Sequence, residues 1–390
     1  MSGILIIESW AAETRAALIN NDDVAKFWFG PAPSDETHDR SLRAGTVVNG
    51  RVRQINRALN AAFVEIGHET DGFLTLSDQP ARALCEGEIA KFTIKTPPRG
   101  PKGATLRYLG EGLSNAPLGR CAPFDDPAIE AINAIGREVH QIFIDRAIPR
   151  QHLSDDIADA IQIDHRSHAL FSDFGADDGL TAAFERRAPI PGGGALILDE
   201  TEALTLIDVD TDGLQAASSL RLQEKIALAA LKEAERQISL RGIGGQVVLD
   251  LPLSRTGGAK SRLSQTVKKA AAGIRDARAI SLANNGLLSF AVPRRTLSLL
   301  EAHTEIAPVA PISGRRFTTA WLAKKALRHL ELELRNAPSE RFELSAGKPI
   351  YDYIEGRQRW IERMKDRYSA RFRFVSRSSV GEQGHDIVKL

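Results

Sequence analysis

The chain is poor in cysteine, methionine and aromatic residues. Its 390 residues include 2 Cys, 2 Met, 4 Trp and 4 Tyr. Cys85 and Cys121 stand far apart and no CxxC pair exists, so neither a disulfide framework nor a cysteine-held zinc site can be read from them. A reduced, cytoplasmic setting is the expectation. No apolar run reaches the ~18 residues that a membrane-spanning helix requires. The opening MSGILIIESWAAETR has no basic lead-in and acids follow soon after, so it reads as a strand rather than a signal peptide. No GxSxG or HExxH is present, and GGAKS lacks the glycine-lysine-serine/threonine spacing of a phosphate loop. Serine-hydrolase, zincin and P-loop chemistry are therefore excluded as motif readings. Net charge is also small, +1 from 51 basic and 50 acidic residues, but those charges are strongly segregated along the chain.

The segregation starts with bases. Arg40, Arg43, Arg51, Arg53 and Arg57 precede Ala62 with no acid among them, and Lys91, Lys95, Arg99, Lys102 and Arg107 form a second acid-free set. Both fall in a stretch of short strand-like runs separated by Gly, Asn and Pro: GTVVNGRVRQI, AAFVEIG, DGFLTLS, EIAKFTIKT and GATLRYL. Five short strands in about 70 residues predict an OB-type barrel. A basic groove with aromatic platforms suits single-stranded nucleic acid. Phe63 and Phe73 are the candidate platforms; a lone ring of this kind is more often core.

Acids gather further on. In GGGALILDETEALTLIDVDTD, two apolar runs predict two strands, and the second ends in Asp208 and Asp210. Residues i and i+2 of a strand share a face, so the two carboxylates are expected on one side. GGQVVLD repeats the pattern and ends in Asp250. Clustered carboxylates raise one another's pKa or recruit a cation, and a hard ion such as Mg²⁺ suits two carboxylates while keeping several waters. A single Asp after a strand is more often a solvated strand end. Between the acid motifs, Ala227, Leu231, Ala234 and Ile238 predict a helix over residues 215–240 that Gly242 and Gly244 terminate. After Asp250 comes a basic helix with Arg255, Lys260, Arg262, Lys268, Lys269, Arg275 and Arg278 against the one acid Asp276. Acids that hold a metal beside bases that hold phosphates are what a phosphodiester enzyme needs.

The remaining elements follow from pattern. Strands are expected at residues 4–8 and 23–30 with a reversal between them, then a polar linker over 31–39. Residues 111–190 read as mixed, with helices near 126–137, 155–160 and 178–187, a strand at 139–145, and Asp155, Asp156, Asp177 and Asp178 as solvated turn acids. AISLANNGLLSFAV predicts a hairpin, and 308–315 a linker. A long helix (318–334), a strand (341–344), a second helix (349–365), the basic strand RFRFVSR and ten frayed residues close the chain.

The chain resembles the catalytic region of the ribonuclease E/G family of bacterial endoribonucleases. The resemblance is carried by GGGALILDETEALTLIDVDTD, LRGIGGQVVLDLPLS, GRVRQINRALNAAFVEIGHETDGFL, RGPKGATL, RLSQTVKKAAAGIRDAR, NNGLLSF and YIEGRQRWIERMKDRYSARFRFV. It implies an α+β multidomain chain. Residues 1–42 and 113–190 would form an RNase H-like outer subdomain, and 43–112 an inserted OB-fold, S1-like β-barrel. Residues 191–307 would form a DNase I-like catalytic α/β subdomain, and 315–390 a small C-terminal α/β domain. It implies Mg²⁺-dependent hydrolysis of single-stranded RNA in RNA processing or decay, leaving 5′-phosphate ends, with Mn²⁺ as a compatible ion. Asp208 and Asp250 match the family's metal ligands, and Asp210 stands where the family usually has an Asn that orients them. Phe63 and Phe73 match base-stacking aromatics, Lys102 lies in the RNA-contacting Lys-Gly-Ala turn, and Arg278 is the nearest match to an arginine beside the scissile phosphate. Arg51, Arg53 and Arg262 are further RNA-contact candidates from the basic runs.

Three departures accompany the resemblance. Asp210 adds a negative charge. No CPxC stands between Arg295 and Gly314, so no zinc is expected, and the expected state is a monomer or a dimer not linked by zinc. The Arg-Thr pair of the family's 5′-monophosphate pocket is missing between the OB-type segment and Asp126. These absences keep a second class open, a non-catalytic RNA-binding factor in ribosome or RNA maturation.

Overall fold

Near-continuous burial of GILIIES makes it a central strand covered on both faces. In the computed structural model, strand Gly3–Ser9 pairs antiparallel with Thr14–Asn20 and parallel with Val139–Ile144. The described residues are 3–32, 42–76, 79–121, 126–135, 139–148, 153–164, 169–211, 220–252, 258–307 and 314–390, without the side chains of 79–80, 155–156, 220–223 and 258–262. The linkers expected at 31–39 and 308–315 lie mostly outside them, as does Arg255.

The described residues divide into two units: Met1–Asp39 with Phe124–Phe184 and Ala302–Leu390, and Arg40–Pro123 with Glu185–Glu301. The first unit holds a five-stranded sheet in the order Ile161–Ile163, Val139–Ile144, Gly3–Ser9, Thr14–Asn20, Asp23–Gly30. Strand Thr14–Asn20 corrects the reading of residues 9–22 as a plain reversal. Its TRAALIN sequence carries weak strand propensity, yet Ala16 and Ala17 are wholly buried against neighbours on both sides. Asn21 and Asp22 reverse the chain with φ of 51° and 66°, the left-handed conformation that short hairpins require. Helix Pro127–Ile135 lays Ala128, Ala131, Ile132 and Ile135 on this sheet beside Leu5, Ile7, Ile142 and Ile144.

The same unit contains the C-terminal residues. Helix Thr319–Asn336 is capped by Thr318, whose hydroxyl accepts from the Trp321 amide at 3.2 Å. A three-stranded sheet centres on the fully buried Phe342–Ala346, with Phe372–Ser376 parallel and His385–Lys389 antiparallel to it. The expected frayed end is therefore a strand; its register with Phe342–Ala346 depends on a partner about 40 residues away in sequence. The helix expected over 349–365 is two, Lys348–Glu355 and Gln358–Tyr368, with Gly356 at the break.

Buried charge organises this unit. Arg15 donates to Glu8 and to Asp177, both at 2.7 Å. Asp177 is thus a fixed ion-pair partner and not a solvated turn acid; it opens helix Ala176–Phe184 and meets an arginine that must be neutralised because it is buried. Glu13 pairs with Arg328. Glu331, with no exposed surface, accepts from the Ala11 amide at 2.7 Å, Arg367 at 3.0 Å and the Tyr368 hydroxyl at 3.1 Å.

In the second unit, strand Val47–Asn56 pairs with Ala61–Glu65, which pairs with Gly72–Thr75; this pairs parallel with Thr105–Glu111, which pairs with Ile89–Thr96, which pairs back to Val47–Asn56. The pairings thus form a circuit around Val48, Val52, Val64, Leu74, Phe92, Ile94 and Leu106. The unit's other sheet runs Arg187–Pro189, Ala195–Glu200, Leu204–Asp210, Gly245–Asp250, Leu287–Val292, Arg278–Leu282. Helix Leu220–Arg241 connects the parallel pair Leu204–Asp210 and Gly245–Asp250. Its Ala227, Leu231, Ala234 and Ile238 stripe is buried as the periodicity predicts, and Leu263 and Val267 of helix Gly258–Ala271 join the same core. Gly242 takes φ +67° and the Ile243 amide returns to the Ile238 carbonyl at 2.9 Å, a helix stop that only a left-handed residue allows.

Candidate active site

Among the described residues, the two helices cover one face of the mixed sheet and leave the other open. Along Leu204–Asp210, Thr205, Ile207 and Val209 are buried, while Leu206 and Asp208 are exposed and Asp210 is half-buried. Along Gly245–Asp250, Val247 and Leu249 are buried and Asp250 is exposed. The period-two alternation therefore sends Asp208, Asp210 and Asp250 to the open face.

Register brings the acids together. Asp208 stands opposite Asp250 in the parallel pair, so their Cα atoms are about 4.8 Å apart. Both lie at the carboxyl ends of parallel strands joined through a helix, the edge at which open α/β sheets carry ligands. The row continues outward. Ile197 is opposite Asp208, Arg187 is opposite Ile197, and Leu287 is opposite Asp250.

Two arginines not anticipated from the sequence sit in this face. Arg187 donates to Asp210 at 2.7 Å. Arg186 donates twice to Asp199 at 2.6 Å, which holds the Asp199 carboxyl below the usual carboxylate range; burial opposes this weakly. Asp208 in turn acts on the Arg186 guanidinium through its charge. Their only sequence signal was a pair of consecutive arginines ahead of the Pro191–Gly194 turn. Among the described residues, neither Asp208 nor Asp250 forms a salt bridge. Also among the described residues, no three His, Cys, Asp or Glu side chains converge as a potential metal-binding group. Two exposed carboxylates in register, neither in a salt bridge with a described residue, fit a hard divalent ion that retains most of its water.

The other candidates fall into two places. Phe63 and Phe73 are register partners on adjacent strands, with ring centroids 5.9 Å apart and edge to face. They are half-buried on the outer side of those strands, while Val64 and Leu74 point into the core. The parallel pairing also brings Lys102 to them: the Phe73 amide donates to the Ala104 carbonyl at 2.7 Å, and Lys102 is exposed in the turn that Arg99 and Lys102 close. Arg51 is exposed on the first strand of that circuit, and Arg53 lies near Glu65 at 3.2 Å and Asp71 at 3.7 Å.

Not everything converges on the acids. Arg99 bonds the carbonyls of Thr201 and Glu202, tying the Lys102 turn to the opposite end of strand Leu204–Asp210 from Asp208. Arg278 is exposed but stands in the row of Ala291 and Gln246, four residues along from Asp250, or about 13 Å. Arg262 lies in the helix that follows the Asp250 end of its strand, and its side chain is outside the described set.

The sequence is similar to known proteins. The sequence profile of the Ribonuclease E/G family matches residues 130–290, which include all three acids. The chain is 26% identical to Ribonuclease E of Escherichia coli (strain K12) over 270 residues, covering 64% of this chain and 25% of that protein. It is 28% identical to Ribonuclease E of Buchnera aphidicola subsp. Acyrthosiphon pisum over 442 residues, covering 85% of this chain and 48% of that protein. It is 23% identical to Ribonuclease G of Haemophilus influenzae over 203 residues, covering 51% of this chain and 41% of that protein. The chain thus spans between 25% and 48% of the length of these relatives. The matching profile and several relatives agree in supporting the ribonuclease E/G family for this chain.

Proposed function

We propose that this protein is a divalent-metal-dependent endoribonuclease that hydrolyses phosphodiester bonds of single-stranded RNA. The carrying observation is the register of Asp208 with Asp250 on an open sheet face, neither neutralised by a salt bridge from a described residue. Mg²⁺, when bound, supplies an activated water and neutralises charge developing on the phosphodiester. Asp208 and Asp250 would hold the ion. Water attacks phosphorus in line and the P–O3′ bond breaks, so the products carry a 5′-phosphate and a 3′-hydroxyl.

The strand circuit of residues 43–112 supports reading it as the S1-like OB barrel that clamps the strand. Its half-buried Phe63 and Phe73 offer faces and edges to bases, and Lys102 and Arg51 offer charge to phosphates. Arg278 is assigned to a phosphate further from the acids, and Arg262 to RNA contact from the basic run alone. The order of the five-stranded sheet, with two strands parallel to Gly3–Ser9, supports an RNase H-like outer subdomain. The sheet over residues 187–292 supports a DNase I-like catalytic part.

The test is cleavage of labelled single-stranded RNA by Asp208→Asn and Asp250→Asn, with and without Mg²⁺. Each change is expected to lower cleavage by roughly a hundredfold or more, as removal of a group stabilising the transition state does, with RNA binding by gel shift kept. Full cleavage by both variants would refute the site. A wild-type protein that shifts RNA and never cuts it with metal would instead make the chain a non-catalytic RNA-binding factor.

A further inference from the structure

The open face carries more acid than a two-carboxylate site uses. Asp199 and Asp210 lie on the same two strands as Ile197 and Asp208, and Asp210 follows Asp208 by two residues on one face, about 7 Å away. The short edge segment at 186–188 answers this with two guanidinium groups. Arg187 reaches across strand Ala195–Glu200 to Asp210 at 2.7 Å, and Arg186 takes Asp199 at 2.6 Å. Arg187, Ile197 and Asp208 stand in one row, and Asp210 lies two residues further along its strand, opposite Ala195.

We propose that Arg187 is a positioning residue of the cation site: it holds Asp210 in an ion pair and so confines divalent binding to Asp208 and Asp250. The inference rests on the cation-site reading above. Both partners are about half exposed, at 47% and 40% of side-chain surface, so the pair contributes little to stability. Its effect is on where charge sits. Without Arg187, Asp210 turns toward the neighbouring carboxylates and adds a third negative group near the ion. In water-like permittivity a unit charge about 7 Å from a divalent ion changes its affinity by roughly twofold at physiological salt and roughly five- to sevenfold at low salt.

The experiment measures Mn²⁺ binding to the full chain without RNA, by electron paramagnetic resonance of the free ion. At low ionic strength Arg187→Gln is expected to tighten binding by roughly five- to sevenfold. Asp210→Asn is expected to weaken it by a similar factor, because Arg187 then faces the ion with its charge no longer balanced. The double variant returns to within about twofold of wild type, since the two charges leave together, and Arg187→Lys, which keeps the charge, also stays near wild type. Equal binding by wild type and Arg187→Gln, or a double variant that stays as tight as Arg187→Gln, overturns the role of Arg187 alone. Unchanged Mn²⁺ binding after Asp208→Asn with Asp250→Asn overturns the cation site itself, and this role with it.

Discussion

Replacing Glu331 tests whether the C-terminal helices and the N-terminal hairpin are held together by the hydrogen bonds that one buried carboxylate accepts. Glu331 has no exposed surface and receives three donors: the Ala11 amide at 2.7 Å, Arg367 at 3.0 Å and the Tyr368 hydroxyl at 3.1 Å. In Glu331→Ala the Ala11 amide loses its acceptor in a buried site, a loss of about 1–3 kcal/mol. Arg367 is 30% exposed and recovers water, so its share is discounted to about 1 kcal/mol. Tyr368 keeps its bond from Arg335 at 3.1 Å and forfeits only its donation. With the void left by the side chain, the expected destabilisation is about 3–5 kcal/mol. Glu331→Gln keeps the volume and a carbonyl for Ala11, so about 1–2 kcal/mol is expected. Trp10, Trp28, Trp321 and Trp360 are the chain's 4 tryptophans and all belong to the first unit, so tryptophan fluorescence in urea reports that unit alone. A midpoint for Glu331→Ala that matches wild type would refute the argument. So would a Gln variant as damaged as the Ala variant, because the loss would then be one of charge and not of unsatisfied donors.

Two further outcomes are expected. A Cβ on Gly103 would stand 1.8 Å from the Asp71 carbonyl oxygen, so Gly103→Ala must displace the Lys102 turn; a cost of roughly 1–3 kcal/mol and weaker single-stranded RNA binding are expected, read by circular dichroism and gel shift. Burial raises the Asp145 carboxyl from 3.8 to about 6, against the Ser9 amide and Arg335 that favour its charged form. Its folded pKa is the higher one, so its stabilising effect is complete below about pH 4 and is lost as pH rises through 6, by about 3 kcal/mol. His303, lowered to about 3 by burial and by Lys324, acts oppositely, with stability lost as pH falls below 6.5. The fluorescence stability of wild type minus that of Asp145→Asn should therefore fall between pH 4 and 6; a flat difference would refute the raised carboxyl.

Much of the molecule was legible because its signals are local. Period-two alternation placed Asp208 and Asp210 on one face of a strand, and the 227–238 stripe with Gly242 defined a helix and its stop. Both depend only on backbone geometry within a few residues. Strand Thr14–Asn20 was hidden because its alanines carry little strand preference and take their conformation from neighbours on both sides. The terminal strand His385–Lys389 was hidden because its partner is remote in sequence.

By itself, the sequence determined which residues could carry the chemistry: the acids ending two apolar runs, the aromatics and bases of the strand-rich segment, and the absence of alternative catalytic motifs. Only the tertiary structure decided which of these act together. It set Asp208 opposite Asp250, gave Asp210 to Arg187 and Asp199 to Arg186, and left Arg278 about four residues from the acid row. The reason is physical. Strand alternation is dictated by bonds within the chain, whereas register and ion pairing depend on which distant strands meet, and sidedness alone does not specify that.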